Sequence, residues 1–143
     1  RPCRHHRGAG RAVVVSGSPS CGVVVYARDP DRIARFYSAV LGLEPVGRDA
    51  HHVVLEGAGF QLVVLRVPDG IAAGIEIAAP PERRHDVAIK PVFFVPSLAA
   101  VGRAVAANDG IMNAPKDWLF QGRIVCDGTD PEGNVIQFRA SAG

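Results

Sequence analysis

Six residues of this chain could act on a ligand: Tyr26, Gln61, Lys90, Phe94, Gln137 and Arg139. Each falls in an extended, β-branched segment, and alternate residues of a strand share a face. That parity groups Gly22, Val24 and Tyr26; Gln61, Val63 and Leu65; Lys90, Val92 and Phe94; and Val135, Gln137 and Arg139. The opposite faces (Leu62 and Val64, Phe93 and Val95, Ile136 and Phe138) are uniformly apolar, as faces packed under helices should be. Only the first set mixes polar tips with apolar walls, which is the composition of a ligand cup. One lysine, one arginine and two amide side chains can hold an anion or a polarised oxygen. The expected ligand is small, aromatic or anionic, and carries a carboxylate or phenolate. A competing use is that Lys90 pairs with an acid such as Asp127 while Arg139 sits at the rim in solvent.

No catalytic residue stands out. There is no Ser-His-Asp or Cys-His arrangement, phosphate loop or GxGxxG. His51 and His52 are adjacent, so in a strand they point to opposite faces and cannot serve one site. His85 lies in a charged ERRHD loop, and the His5–His6 pair lacks further ligands. Trp118 and Phe120 share a face of their strand, with the choice of face left open. Cys3, Cys21 and Cys126 are odd in number and widely spaced, which argues against a disulfide framework and a structural zinc site.

The elements that must position these residues are marked by capping and period. Val23 to Tyr26 is a strand, and Asp29-Pro30 starts a helix as N-cap and first helical residue. Ile33, Phe36, Tyr37, Val40 and Leu41 fall on one helical face, and Gly42 supplies the left-handed stop. Strands follow over Leu43 to Gly47, His52 to Glu56 and Phe60 to Val67. Residues 68–88 form a connection with one short strand around Gly74 to Ala78. Ile89 to Val95 then begins a second round: Ser97 caps a helix marked by Leu98, Val101 and Val105 and ending near Gly110. Extended segments at Met112 to Pro115, Trp118 to Asp127 and Asn134 to Arg139 complete it. An offset of 68 superposes Val24 on Val92, Tyr26 on Phe94 and Asp29 on Ser97. The chain is an internal duplication.

The 143 residues suit one domain with a proper core. The formal charge of +2 conceals an asymmetry: Arg1, Arg4, Arg7 and Arg11 stand in a stretch without acids, so the remainder is slightly acidic. That argues against a nucleic-acid partner. No apolar run reaches the ~20 residues of a membrane span, and Val13 to Val15 is too short for a signal peptide. The expectation is a cytoplasmic protein with a flexible extension over residues 1–20 and a single domain over 21–143. Its modules cover about 22–67 and 89–140.

The segment DPDRIARFYSAVLGLEPV, and DPEGNVIQF near the end, resemble the first helix with second strand, and the last turn with last strand, of the vicinal oxygen chelate superfamily. That group includes glyoxalase I, bleomycin-resistance proteins, fosfomycin-resistance enzymes and extradiol dioxygenases. The resemblance covers about residues 22 to 140. It implies an α+β fold of two βαβββ modules forming a U-shaped, cup-like mixed sheet with helices packed outside, and a homodimer.

Metal-dependent members of that superfamily hold a divalent ion at positions that transfer here to Gly22, Gln61, Lys90 and Gln137. Glycine has no donor, lysine is a cation, and the two amides carry no charge. Metal affinity relies on carboxylates and imidazoles, so no cofactor is expected, with a divalent metal as the alternative. Cys21, one residue out of register, faces the wrong side of its strand. The leading expectation is a metal-free small-molecule-binding protein. The alternatives are a lyase, isomerase or dioxygenase using a non-standard metal site or Lys90 acid–base chemistry, and an interaction module that keeps only the fold.

Overall fold

A computed structural model describes residues 18–142. Most of the expected extension, with Cys3 and His5–His6, lies outside the described residues.

The first module runs β1 (Cys21–Ala27), α1 (Pro30–Leu41), β2 (Glu44–Arg48), β3 (His52–Gly57) and β4 (Phe60–Arg66). The cap and stop act as their residue types dictate. The Asp29 side chain accepts from the Arg32 amide, Pro30 opens the helix, and Gly42 ends it at φ 67°. The four strands form one sheet in the order β1-β4-β3-β2, with β1 parallel to β4 and the other pairs antiparallel.

After the helical turn α2 (Asp69–Ala72), the second module repeats the scheme. Its elements are β5 (Val92–Phe94), α3 (Leu98–Ala107), β6 (Ile111–Met112), β7 (Leu119–Phe120), β8 (Arg123–Thr129) and β9 (Val135–Ser141). Ser97 caps α3 by accepting from the Ala100 amide. This sheet has the order β5-β9-β8-β6, with β5 parallel to β9 and the short β7 paired to β8. The fold is α+β, two βαβββ modules with mixed sheets.

Three sequence expectations are corrected. Gly74 to Ala78 forms no strand, because the Gly74 and Ile75 amides are taken by Ile71 and Ala72 carbonyls that close α2. Trp118 to Asp127 is not one strand: Gln121 and Gly122, at φ 48° and 74°, turn the chain between β7 and β8. Ile89 to Val95 shortens to Val92–Phe94, since Pro91 offers no amide and joins the sheet only as an acceptor from the Gln137 amide.

One core serves both modules. Ile33, Phe36, Tyr37 and Val40 from α1 and Val101 and Val105 from α3 meet Leu62, Val64, Ile136 and Phe138 from the two sheets. Phe93 joins the halves, with its ring 5.7 Å from that of Phe60 and 6.3 Å from that of Tyr37. Because both helix-facing sides are turned into this shared core, the other face of each sheet points away from it.

Candidate functional site

All six candidate residues lie on those outward faces. Tyr26 and Gln61 stand on the first sheet; Phe94, Gln137 and Arg139 stand on the second, with Lys90 just ahead of β5. Tyr26 is 62% and Phe94 63% exposed, whereas Gln137 is buried. The structure gathers Lys90, Phe94, Gln137 and Arg139 on one face and leaves Tyr26 and Gln61 on another.

A hydrogen-bonded chain runs across the second face. Lys90 Nζ lies 3.3 and 3.2 Å from the two carboxylate oxygens of Asp127. Gln137 Nε2 donates to Asp127 Oδ1 at 2.8 Å, and Arg139 Nε donates to Gln137 Oε1 at 2.8 Å. Lys116 Nζ reaches the same carboxylate at 3.8 Å. Burial pushes the Asp127 carboxyl up, but hydrogen bonds from Gln137 and Lys90 and the charges of both lysines leave it below its ordinary value. Lys90 thus takes the second of its two expected uses, pairing with Asp127. Arg139 departs from that alternative in position: it is half-buried, with its guanidinium 4.4 Å from the Phe120 ring centroid.

On the first face Gln61 Nε2 donates to Glu56 Oε1 at 2.8 Å. Glu44 is the cross-strand partner of Glu56, so two acids stand on this face. Sequence reasoning missed Glu56, Lys116, Arg123 and the placement of Phe120, and it treated Asp127 only as a partner for Lys90. The signal for Glu56 and Asp127 was available in part: each lies on the parity that carries the cup residues once the antiparallel register is known.

These residues do not fit a divalent ion. A Cβ built on Gly22 would lie 2.5 Å from the Gln61 carbonyl oxygen, so that position lacks both a donor and the room for one. Lys90 is bound to Asp127, and both ends of the Gln137 amide are occupied. Nor is there an activated nucleophile at Cys126. Its thiol donates to the Asn113 carbonyl at 2.9 Å, and burial, then the Asp127 charge, push its pKa up.

The DPEGN turn holds a different polar cluster. Asp130 is fully buried and accepts from the Tyr37 hydroxyl at 2.8 Å, the Glu132 and Asn134 amides and the Asn134 side chain. Burial pushes its carboxyl up despite these donors, and burial with the Asp130 charge and hydrogen bond raises the Tyr37 hydroxyl well above its ordinary value. Glu132 accepts from the Arg28 and Asp29 amides at 2.8 and 2.9 Å, tying the second module to the first at the start of α1. Asp130 thus shapes the turn, while Glu132 holds the turn against the first module.

A family model described as the glyoxalase-like domain matches residues 22–138. The chain belongs to the glyoxalase-like family. The family match, with the fold shared by its structural neighbours, agrees with the resemblance to the vicinal oxygen chelate superfamily. A glyoxalase-related enzyme from Fulvimarina pelagi is 19% identical with a TM-score of 0.63, covering 85% of this chain and 86% of that one. The bleomycin resistance determinant encoded on the transposon Tn5 is 20% identical with a TM-score of 0.57, covering 85% and 97%. The fosfomycin resistance protein FosX from Listeria monocytogenes is 10% identical with a TM-score of 0.62, covering 85% and 91%. At these identities the likeness is one of fold. No curated protein matches this glyoxalase-like chain. No described helix is long and apolar enough to cross a membrane.

Proposed function

We propose that this glyoxalase-like protein binds a small organic molecule, aromatic or anionic, without a metal ion and as a homodimer. The site comprises Phe94, Gln137 and Arg139 with Lys90 beside them, and Tyr26 and Gln61 on the face that closes over it. The observation that carries the reading is Arg139: a half-buried cation with no carboxylate partner among the described residues. A cation desolvated without a counter-charge is costly unless something supplies one, and a bound anion does.

The two sheet faces support the dimer. The second sheet presents Lys90, Lys116, Arg123 and Arg139 around the acid Asp127, whereas the first presents Glu44 and Glu56 beside exposed Val24 and Tyr26. Opposite charges and exposed apolar side chains complement one another when the first sheet of one chain covers the second sheet of its partner. A catalytic role for Lys90 gains no support, since its ammonium is engaged by Asp127.

Native mass spectrometry of protein purified without a histidine tag, joined to elemental analysis, tests the proposal. Expected are a dimer, metal well below one ion per chain, and a retained or added small molecule whose binding weakens in R139Q. A monomer that binds nothing, or one zinc, nickel, manganese or iron ion per chain held in the cup, overturns it.

A further inference from the structure

Four side chains from four strands alternate cation and ring on the second sheet's outward face. The Arg123 guanidinium lies 5.1 Å from the Phe94 centroid, Arg139 lies 6.0 Å from the same ring, and Arg139 lies 4.4 Å from Phe120. The order is Arg123, Phe94, Arg139, Phe120, contributed by β8, β5, β9 and β7. Neither arginine has a carboxylate partner among the described residues. Both rings keep open surface, Phe94 at 63% and Phe120 at 43% exposure.

The chemistry of a stacked guanidinium follows from its shape. Its faces are covered by rings, while its N–H donors stay in the plane and point outward. In Arg139 the Nε donor is fixed by Gln137, and Gln137 is fixed in turn by Asp127. That chain sets the orientation of the guanidinium and leaves its two terminal nitrogens as a fork, a geometry that matches a planar carboxylate. Lys90 and Lys116 share the Asp127 charge, with Lys90 held at hydrogen-bond distance and the trio adding to the positive potential of this face.

We infer that the Arg123–Phe94–Arg139–Phe120 ladder selects a planar aromatic carboxylate. The ligand's ring extends the stack on Phe120, the ring at the end of the ladder, its carboxylate takes the terminal donors of Arg139, and Arg123 supplies a second positive charge. The inference rests on the ligand-binding reading above and narrows it, moving recognition of the anion from Lys90 to the two arginines. Neutral aromatics forfeit the charge, non-planar acids forfeit the stack, and cations meet two guanidinium groups that have no carboxylate partner among the described residues of their own chain.

Isothermal titration of the whole protein with 1-naphthoate, 1-naphthamide and decahydro-1-naphthoate tests the assignment. The expected result is that naphthoate binds at least about tenfold more tightly than either comparison compound. R139Q should weaken naphthoate by about tenfold or more and leave the naphthamide affinity in place. R139K, which keeps charge without the planar fork, should still lose several-fold. R123Q, at an exposed position where folding is not at stake, should lose about threefold, while R103Q, which removes an exposed charge from α3, should change nothing. Equal binding of the acid and the amide, or unchanged naphthoate affinity in both R139Q and R123Q, overturns the inference. Absence of naphthoate binding overturns it as well. A fragment screen then separates the two levels: a neutral or cationic ligand displaced by F94A leaves the broader proposal standing, and a face that binds no fragment removes both.

Discussion

Gln137 Nε2 donates to Asp127 Oδ1 at 2.8 Å, and the first module repeats the bond at the same length between Gln61 Nε2 and Glu56 Oε1. In both modules the glutamine sits on the last strand and the carboxylate on the strand antiparallel to it. The duplication therefore extends past the backbone to a polar pair, and the two copies differ in what surrounds them. Lys90 and Lys116 attend Asp127. The position matching Lys90 in the first module is Gly22, so Glu56 receives no cation from that strand.

Asp127→Asn removes the counter-charge of two lysines while keeping an acceptor for Gln137. Its expected cost is about 1–2 kcal/mol at neutral pH, the pair being partly solvent-exposed. The acid limb carries the sign. Asp127 is held below its ordinary value in the folded chain, so its contribution is complete above the unfolded carboxylate pKa and is lost as pH falls through the lower folded value. Urea denaturation across that range should show wild-type stability converging on the variant's in acid; parallel curves would remove Asp127 as the cause.

Gly22→His places an imidazole where the superfamily resemblance implies a metal ligand, yet it should not create a metal site. The Cβ would press on the Gln61 carbonyl oxygen at 2.5 Å, across the parallel β1–β4 pair. Strain of this kind typically costs about 1–3 kcal/mol. The expected outcome is a lower melting temperature and nickel or zinc uptake no greater than wild type. A stable variant with one tightly bound ion would show that the backbone yields there.

Glu132→Gln replaces one carboxylate oxygen with an amide that cannot accept from the Arg28 or Asp29 N–H. With the residue only 5% exposed, the loss of a charge-assisted bond and an unsatisfied donor should cost about 2 kcal/mol in chemical denaturation. Because the tie links the modules, hydrogen exchange should rise at the start of α1 as well as in the turn.

Tyr37→Phe removes the hydroxyl that donates to Asp130 and leaves the ring packed against Phe36 and Phe93. Asp130 keeps three other donors, so the cost should be about 1–2 kcal/mol without change of fold, read from the denaturation midpoint. No measurable change would mean that the bond is neutral against hydration in the unfolded chain.

Local signals made the scaffold legible. Asp29, Pro30 and Gly42 bound α1 because capping and left-handed geometry depend on neighbouring residues alone, and the same holds for Ser97 before α3. Strand parity likewise placed Tyr26, Gln61, Phe94, Gln137 and Arg139 on the outward faces. What the sequence withheld depends on register between strands. Glu56 meets Gln61 only once β3 is aligned with β4, and Arg123 reaches Phe94 only once β5, β8 and β9 are aligned. The strand expected at Gly74 to Ala78 failed for a related reason: the carbonyls that close α2 claimed the amides a strand would have needed.

The shared core under both helices separates two kinds of selection. Residues that face it carry the stability of the whole chain, and half a molecule would expose the surface its other half covers, so neither module should persist alone. Residues on the outward strand faces sit one position away in sequence yet contribute little to that core. Apart from Gly22 and the buried Asp127–Gln137 pair, a lineage can therefore exchange them at little cost to the core, acquiring a new ligand without first losing the ability to fold.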